Sequence, residues 1–333
     1  MSRPCASRRR SGASAARSST ATATTGTGNR PPTCGRFAPT PSGPLHLGSL
    51  LAATGSFLSA RHAGGRWLLR IDDLDRQRSI PGLGEEFQRI LRRFGFEWDG
   101  TVCFQSGRNE RYREALAAIV AGNGTYACRC SRSTLTASQL AEPGAEPVYP
   151  GTCRHDPHAA LGPHALRFAI REGQPPIEFE DAFQGRYVQD CAREAGDFVI
   201  RRRDGQVAYH LATVVDDAEH GVTEVVRGAD LMASTPRQIL LQEALALHTP
   251  SYGHLPLLTE PDGRKLAKSK RSLPLAEDVS QQLWQVLDWL EQAPPPDLAK
   301  APVRTIWDWA IPNWRPGRLG GRRERRLTAA VPG

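Results

Sequence analysis

Apolar and polar positions over residues 35–75 predict one β–α–β unit. A short apolar strand ends near Ala38, and a loop rich in proline and glycine follows it. A long apolar run then predicts a helix over 47–62, which two consecutive glycines end. The next strand, 66–71, would lie parallel to the first, so the loop would sit at the carboxyl edge of a sheet, where α/β folds bind ligands.

The rest of the chain continues this mixture of helix and strand patterns, which defines the fold class as α/β. Apolar residues three or four positions apart predict amphipathic helices, and short apolar runs between turn residues predict strands. The expected elements are helices over 81–94 and 109–120, strands over 165–170, 177–179, 185–188, 197–201 and 207–209, a helical segment over 209–217, a strand over 222–226, a helix that Thr235 caps and that runs to about 247, a strand over 254–258, and helices over 278–291 and 303–314. We expect the tryptophans of the last two helices, Trp284, Trp307, Trp309 and Trp314, to pack in the core rather than stack on bases.

Positive charge is concentrated at the two ends of the chain. The formal net charge is +8, but residues 1–33 carry six arginines and no acidic residue, and residues 315–333 carry six arginines and one glutamate. The segment between them is therefore slightly acidic, so net charge alone does not indicate an RNA-binding core. Residues 1–33 are also poor in large apolar residues, and we expect them to be disordered.

Composition favours a cytoplasmic protein. The sequence contains no run of about 18 apolar residues, so we expect no transmembrane helix. Seven cysteines without an apolar signal segment indicate reduced thiols rather than disulfides.

The loop over residues 39–49, PTPSGPLHLGS, carries the first candidate chemistry. Free backbone N–H groups and the positive end of the helix dipole at such a turn favour an anion such as phosphate. Gly48 allows a ligand to approach the backbone, and His46 can donate a hydrogen bond to a phosphate oxygen. A capped helix with a surface histidine would give the same pattern, so the loop alone does not decide between the two interpretations.

Several segments in a fixed order resemble the class I aminoacyl-tRNA synthetases, and their glutamyl branch in particular. HLGS at 46–49 resembles the HIGH signature of that class, with RFAPTPSG before it and WLLRIDDLD at 67–75 after it. VRGADL at 226–231 follows, and KLAKS at 265–269 resembles the KMSKS loop. The resemblance implies a Rossmann-type parallel-sheet catalytic domain with a zinc-stapled insertion and a short helical carboxy-terminal part.

The implied domain organisation has six parts. They are a disordered tail (1–33), the first half of the catalytic domain (34–125), a zinc-containing, acceptor-binding-like insertion (126–195), the second half of the catalytic domain with the KMSKS-like loop (196–272), a short helical part (273–314) and a basic tail (315–333).

The resemblance also implies the residues that would bind ATP and L-glutamate. The catalytic residues would be His46, Ser49 and Lys268; the glutamate site would be formed by Arg36, Phe37, Ala38, Pro39, Thr40, Asp72, Tyr209 and Arg227; and ATP would be bound by His46, Gly48, Lys265 and Lys268. Mg²⁺ would accompany ATP. Asp72 stands where the family has glutamate, so its carboxylate is one methylene shorter.

Three clustered cysteines, Cys128, Cys130 and Cys153, look like a zinc site that is one ligand short. Chemistry alone favours a nearby histidine, His155 or His158, as the fourth ligand. The resemblance favours Tyr149 instead, because the short glutamyl-type synthetase homologues that modify queuosine carry C-x-C followed by Y-x3-C. One structural Zn²⁺ per chain is therefore expected on the three cysteines and Tyr149, with His155 as the alternative; buried cysteines without a metal are the other interpretation.

The resemblance covers residues 36 to about 314, and we expect no anticodon-binding region of a full glutamyl-tRNA synthetase beyond it. It implies that a monomer activates glutamate with ATP, without tRNA, and transfers it to queuosine in the anticodon loop of tRNA(Asp). A truncated glutamyl-tRNA synthetase acting on the tRNA 3′ end is one alternative. A catalytically inactive tRNA-binding paralogue is another, which Asp72 and Ala267 favour, and a small nucleotidyltransferase is a third.

Overall fold

Two parallel sheets that meet side by side form the centre of the computed structural model, which describes residues 32–122, 124–131, 148–156, 158–259 and 275–326. In chain order the elements are β1 (Cys34–Phe37), α1 (Leu47–His62), β2 (Arg66–Ile71), α2 (Leu83–Arg93), β3 (Cys103–Phe104), α3 (Asn109–Ala121), β4 (Thr125–Cys128), β5 (Ala165–Phe168), β6 (Ile177–Asp181), β7 (Gly185–Gln189), α4 (Cys191–Glu194), β8 (Phe198–Arg201), α5 (Tyr209–Glu219), β9 (Glu224–Gly228), α6 (Thr235–Ala244), β10 (Ser251–Leu255), β11 (Leu257–Thr259), α7 (Val279–Trp289), α8 (Val303–Asn313) and β12 (Glu324–Arg326).

The order of the parallel strands is that of a Rossmann-type fold. β1, β2 and β3 pair in this order in one sheet, and β9, β10 and β6 pair in parallel in the other, with β7 antiparallel at the edge. β1 lies beside β9, because the backbone N–H of Thr223 donates to the carbonyl of Cys34 at 2.9 Å. The chain therefore reverses its progression between β1 and β9, which is the switch point where such folds bind ligands. The predicted fold class is confirmed.

Helix α1 joins the two halves of this centre. It is apolar on most of its circumference, and it is buried on most sides, as expected for a helix covered by protein on both faces. A β-carbon at Gly55 would lie 2.5 Å from Cδ1 of Leu255, so the glycine permits the close contact between α1 and β10. The predicted bounds of α1 and β2 are confirmed, whereas α2 starts two residues later than predicted.

Strands β4, β5 and β8 form a separate antiparallel sheet. This sheet crosses the boundary expected near residue 195, because β5 precedes the boundary and its partner β8 follows it. Strand β6 also lies before the boundary, but it pairs with β10 of the parallel sheet, which follows the boundary. The chain thus leaves the antiparallel sheet after β5, adds β6 and β7 to the sheet of β10, and returns to the antiparallel sheet at β8, beyond the expected boundary.

The largest apolar core lies between α1, β2 and the carboxy-terminal helices. Four aromatic rings meet there: Phe57 packs edge-on against Trp67, Phe96 and Trp307, with centroids 4.9–5.3 Å apart. Trp307 and Trp314 are buried, so the expectation that the tryptophans pack in the core is confirmed for these two. It is wrong for Trp284, which is half-buried and donates from Nε1 to the carbonyl of Pro295 at 2.9 Å.

Other predicted element bounds are wrong for local reasons. Thr235 is the first residue of α6 rather than its cap, because a 3₁₀ helix over Ala229–Ser234 runs directly into it. The strand predicted over 254–258 is two strands, β10 and β11, separated at Pro256, which has no N–H to donate. The strand predicted over 207–209 is a single bridge between Val207 and Arg201.

In the part of the chain that the structure describes, no helix is both long enough and apolar enough to span a bilayer.

Candidate active site and metal centre

His46 is built into the start of α1. It is the N-cap residue, and its Nδ1 accepts hydrogen bonds from the backbone N–H groups of Gly48 at 3.1 Å and Ser49 at 3.4 Å. The expectation that these N–H groups are free for a phosphate is therefore wrong. Because Nδ1 acts as an acceptor, the proton of a neutral imidazole must be on Nε2, which makes Nε2 the donor.

A cleft of about 560 Å³ opens beside this histidine, at the carboxyl ends of β1 and β9. Its wall combines the loop after β1, the start of α1, the turn after β9 and the start of β11. Of the residues predicted for the site, Phe37, Pro39, Thr40, His46, Gly48 and Ser49 line the cleft. Ala38, Arg36, Asp72, Tyr209 and Arg227 are not among the lining residues, and Lys265 and Lys268 lie outside the described residues.

Arg36 and Asp72 belong to a buried ionic network below the cleft. Arg36 donates from Nε to Asp217 at 3.2 Å, and Arg70 bridges Asp217 at 2.6 Å and Asp72 at 2.7 Å. All four residues are buried. Arg36 and Asp72 therefore have protein partners in this structure, rather than facing the cleft directly as we expected.

The pKa values of this network follow from burial and from its charges. Burial raises the pKa of Asp72 to about 6, against the opposing effect of Arg70. Burial also disfavours ionisation of Asp217, but Arg36 and Arg70 outweigh it and lower the pKa of Asp217. Asp217 is thus held as the anion that neutralises both arginines.

Arg227 lies at the end of β9, next to the cleft-lining Gly228, and is 6% exposed. Its Nε lies 3.1 Å from Nε2 of His254, and its Nη2 donates to Oγ1 of Thr235 at 2.8 Å and to the carbonyl of Leu231 at 3.3 Å. Nη1 is buried and has no hydrogen-bond partner among the described residues. A guanidinium with one unused buried donor pair fits a carboxylate ligand.

Tyr209 is the first residue of α5, and 38% of its surface is exposed. One turn later on the same helix, Oγ1 of Thr213 is buried without a partner in the described part of the chain. Thr213 was not among the predicted residues, although its i+4 spacing from Tyr209 places the two on the same face of α5.

Asp216 and Asp217, the two acids near the end of α5, were also not among the residues predicted from the sequence. Asp216 is fully buried and accepts hydrogen bonds from Gln105, Arg108 and Tyr112. The available signal was a pair of acids in an otherwise apolar helix, because buried acids of this kind need cationic or hydroxyl partners.

Three cysteines and a tyrosine converge at the end of β4. The Sγ atoms of Cys128, Cys130 and Cys153 lie within 4.8 Å of one another, and those of Cys130 and Cys153 are 3.6 Å apart. Oη of Tyr149 lies 3.4 Å from Sγ of Cys128 and 3.8 Å from Sγ of Cys130. A tetrahedral metal with metal–sulfur bonds of about 2.3 Å places its ligand atoms roughly 3.5–3.8 Å apart. The distances from Tyr149 to Cys128 and Cys130, and from Cys130 to Cys153, are close to these values.

The surroundings of this cluster act differently on its members. Burial raises the pKa of Tyr149 and of Cys130 above their ordinary values. Burial opposes ionisation of Cys153, but hydrogen bonds, first among them that of Tyr149, lower the pKa of its thiol to about 7. The guanidinium of Arg167 donates to Sγ of Cys128 at 3.2 Å and lies 3.6 Å over the ring of Tyr149. His155, the alternative ligand, is exposed and outside the cluster.

Comparison with known proteins agrees with this architecture. Residues 33–290 match the family model of tRNA synthetases class I (E and Q), catalytic domain. A glutamate tRNA ligase from Elizabethkingia meningosepticum, solved in complex with its amino acid, has the same fold, with a TM-score of 0.71 and 24% identity over 90% of this chain and 67% of that chain. The fold and the cleft at the switch point therefore define the catalytic domain of a class I tRNA synthetase.

Relatives of higher sequence identity narrow this class. The chain is 50% identical over 292 residues to the glutamyl-Q tRNA(Asp) synthetase of Methylococcus capsulatus, which corresponds to 87% of this chain and 94% of that protein. It is 45% identical over 304 residues to the glutamyl-Q tRNA(Asp) synthetase of Aromatoleum aromaticum, again covering 94% of the relative. The chain belongs to the glutamyl-Q tRNA(Asp) synthetase family.

Proposed function

We propose that this protein activates L-glutamate with ATP in the absence of tRNA and transfers it to queuosine in the anticodon loop of tRNA(Asp). In the first step a carboxylate oxygen of glutamate attacks the α-phosphorus of ATP, and pyrophosphate leaves. In the second step a nucleophilic group of queuosine attacks the acyl carbon of the adenylate, and AMP leaves. The observation that carries the proposal is the 50% identity to a glutamyl-Q tRNA(Asp) synthetase over 94% of its length.

The cleft at the end of β1 is the proposed site of the adenylate. Its volume of about 560 Å³ lies in the range of ligand pockets, which is about 300–1,000 Å³. His46 would donate from Nε2 to a phosphate oxygen while its Nδ1 remains bonded to the helix. Gly48 and Ser49, which also line the cleft, would border the phosphates. Of the predicted lysines, Lys265 and Lys268 would supply cations from the KMSKS-like loop, which the structure does not describe.

Mg²⁺ would enter with ATP as part of the substrate and neutralise phosphate charge.

Glutamate would lie between the end of β1 and the end of β9. Arg227 would bind a substrate carboxylate through Nη1, its one unpartnered nitrogen among the described residues. Residues 37–40 would form the adjacent wall, and Tyr209 would close the pocket from α5. Asp72 would attract the amino group through its charge, with Arg36 and Arg70 fixing the network around it.

We propose a structural Zn²⁺ on Cys128, Cys130, Tyr149 and Cys153. The mutual distances of these four atoms support it, as does the soft, largely sulfur donor set. The ion would supply cross-links between the end of β4 and the segment around Cys153, in a region with a small apolar cluster of its own. We further propose that the protein acts as a monomer in the cytoplasm, where its tRNA substrate is found.

Glutamate-dependent exchange of labelled pyrophosphate into ATP, measured without tRNA, tests the activation step. We expect exchange with glutamate but not with glutamine or aspartate. Exchange that requires tRNA, or no exchange with any amino acid, would contradict the proposal. Arg227→Met is the matched variant, and we expect it to abolish exchange at glutamate concentrations that saturate the unmodified protein.

A further inference from the structure

Three buried side chains form a continuous line from β6, across β10, to β9. Oδ2 of Asp181 lies 2.5 Å from Nδ1 of His254, and Nε2 of His254 lies 3.1 Å from Nε of Arg227. Asp181 and His254 have no exposed side-chain surface, so solvent does not compete for these bonds. Neither Asp181 nor His254 lines the cleft.

The donors and acceptors along this line fix the tautomer of His254. Nε of Arg227 always carries a proton, so Nε2 of His254 must accept, and Nδ1 must carry the imidazole proton toward Asp181. Burial disfavours ionisation of Asp181, but its hydrogen bonds with His254 outweigh that effect and keep its pKa low. An ionised Asp181 accepts the Nδ1 proton, which leaves the Nε2 lone pair directed at Arg227.

Asp181 is itself rigidly held. Its Oδ1 accepts hydrogen bonds from three backbone N–H groups, those of Phe183 and Gln184 in the β6–β7 turn and that of His254, each at 3.0 Å. The carboxylate therefore cannot rotate without breaking the turn, and its position fixes that of the imidazole.

Arg227 is consequently bound to the protein on one edge only. Nε is bonded to His254, and Nη2 is bonded to Thr235 and to the carbonyl of Leu231. The remaining nitrogen, Nη1, is buried without a partner among the described residues. Leaving such a donor unpaired is costly, and a substrate carboxylate would supply its acceptor.

We propose that Asp181 and His254 are positioning residues for glutamate recognition: they orient the guanidinium of Arg227 so that Nη1 meets the substrate carboxylate. The inference rests on the proposed role of Arg227 in glutamate binding and adds two residues that never touch the substrate. We therefore expect substitutions at Asp181 and His254 to weaken glutamate binding and to leave ATP binding almost unaffected.

The sharpest variant is Asp181→Asn, because it keeps the shape of the side chain. Oδ1 of the asparagine can still accept the three backbone bonds, but its amide now donates to Nδ1 of His254. The imidazole proton then moves to Nε2, which faces the N–H of Arg227 and can no longer accept from it. We expect the KM for glutamate in pyrophosphate exchange to rise about tenfold or more, since a hydrogen bond to a charged group is lost, and the KM for ATP to change less than about twofold.

Two variants at His254 separate positioning from packing. His254→Gln can donate to Asp181 and accept from Arg227, so we expect its KM for glutamate to stay close to that of the unmodified protein. His254→Leu can do neither, and its KM for glutamate should rise as in Asp181→Asn. Tyr252→Phe is the control on the same strand, because it removes only the buried bond between its hydroxyl and Gln242. We expect this control to leave both KM values unchanged.

A measurement that needs no catalysis distinguishes this inference from the proposed function. The Nε–H group of Arg227 should give a slowly exchanging signal in ¹⁵N NMR spectra, which His254→Gln retains and Asp181→Asn loses. Loss of that signal without a selective rise in the glutamate KM would overturn the positioning role. Equal changes in the KM values for glutamate and ATP, or a rapidly exchanging signal in the unmodified protein, would also overturn it. Absence of glutamate-dependent pyrophosphate exchange in the unmodified protein would instead refute the proposed function.

Discussion

Replacing Tyr149 by phenylalanine tests which residue completes the cysteine cluster. Oη of Tyr149 lies 3.4 Å from Sγ of Cys128 and also accepts the backbone N–H of Cys153 at 2.9 Å. Tyr149→Phe keeps the ring, which is stacked under Arg167, and removes only this oxygen. The variant therefore lacks one of the four proposed metal donors and leaves a buried N–H group without an acceptor.

The expected effect is large enough to measure. Loss of one of four ligands weakens metal binding, so we expect the zinc affinity of Tyr149→Phe to fall about 10- to 100-fold. The unpaired N–H group lowers the free energy of unfolding by about 1–3 kcal/mol, with or without the metal. His155→Ala should bind zinc like the unmodified protein, because His155 is exposed and outside the cluster.

Competition with a chromogenic chelator would measure these affinities, and zinc content after dialysis would check them. Tyr126→Phe is a matched control, because the ring of Tyr126 lies 6.4 Å from that of Tyr149 and its hydroxyl binds Asp197 rather than a cysteine. Loss of zinc in His155→Ala together with full retention in Tyr149→Phe would show that His155, and not Tyr149, is the fourth ligand. An unmodified protein that binds no zinc would contradict the proposed site altogether.

Three further predictions concern the cleft and the network below it. Asp217→Asn removes the anion between two buried arginines, and we expect the free energy of unfolding in urea to fall by about 3–5 kcal/mol. Gly48→Ala places a β-carbon 3.0 Å from the ring of His46, so we expect the ring to shift and the KM for ATP in pyrophosphate exchange to rise several-fold. Asp72 has a pKa of about 6 in the folded protein and about 3.9 when unfolded, so folding takes up a proton between these values and stability falls as pH rises through them. The free energy of unfolding in urea of Asp72→Asn, relative to that of the unmodified protein, should therefore increase by on the order of 2–3 kcal/mol as the pH rises from 4 to 6.5.

Each of these three has a clear contrary result. A loss below about 1 kcal/mol in Asp217→Asn would mean that the two arginines do not depend on this anion. An unchanged KM for ATP in Gly48→Ala would place the nucleotide away from His46. Parallel pH profiles for Asp72→Asn and the unmodified protein would contradict the raised pKa of Asp72.

The sequence was sufficient for elements whose ends are marked by local chemistry. Helix α1 and strand β2 have the predicted bounds because a glycine pair separates them and apolar runs fill both. Asp278 caps α7, as a capping residue before an apolar period suggests. The convergence of the three cysteines was predicted from their spacing, whereas Tyr149 was selected only through the resemblance to the queuosine-modifying homologues.

Partners that are distant in the chain could not be predicted in this way. Asp181 and His254 are 73 residues apart, and the sequence around each of them does not indicate its partner. For the same reason, Arg36 and Asp72 were expected to face a ligand, whereas Asp217 and Arg70 bind them in the folded protein. Burial decides these pairings, because each charge removed from water must be matched by whatever charge the fold brings near it.

The position of the transferred glutamate on the tRNA distinguishes modification of queuosine from acylation of the 3′ end. Labelled glutamate, ATP and this protein would be incubated with tRNA(Asp) that contains queuosine, with the same tRNA after removal of its 3′-terminal adenosine, and with an unmodified transcript, and the label would be mapped by nuclease digestion. We expect label in the anticodon-loop fragment of both queuosine-containing tRNAs and none in the transcript. Label at the 3′ end, lost when the terminal adenosine is removed, would contradict it.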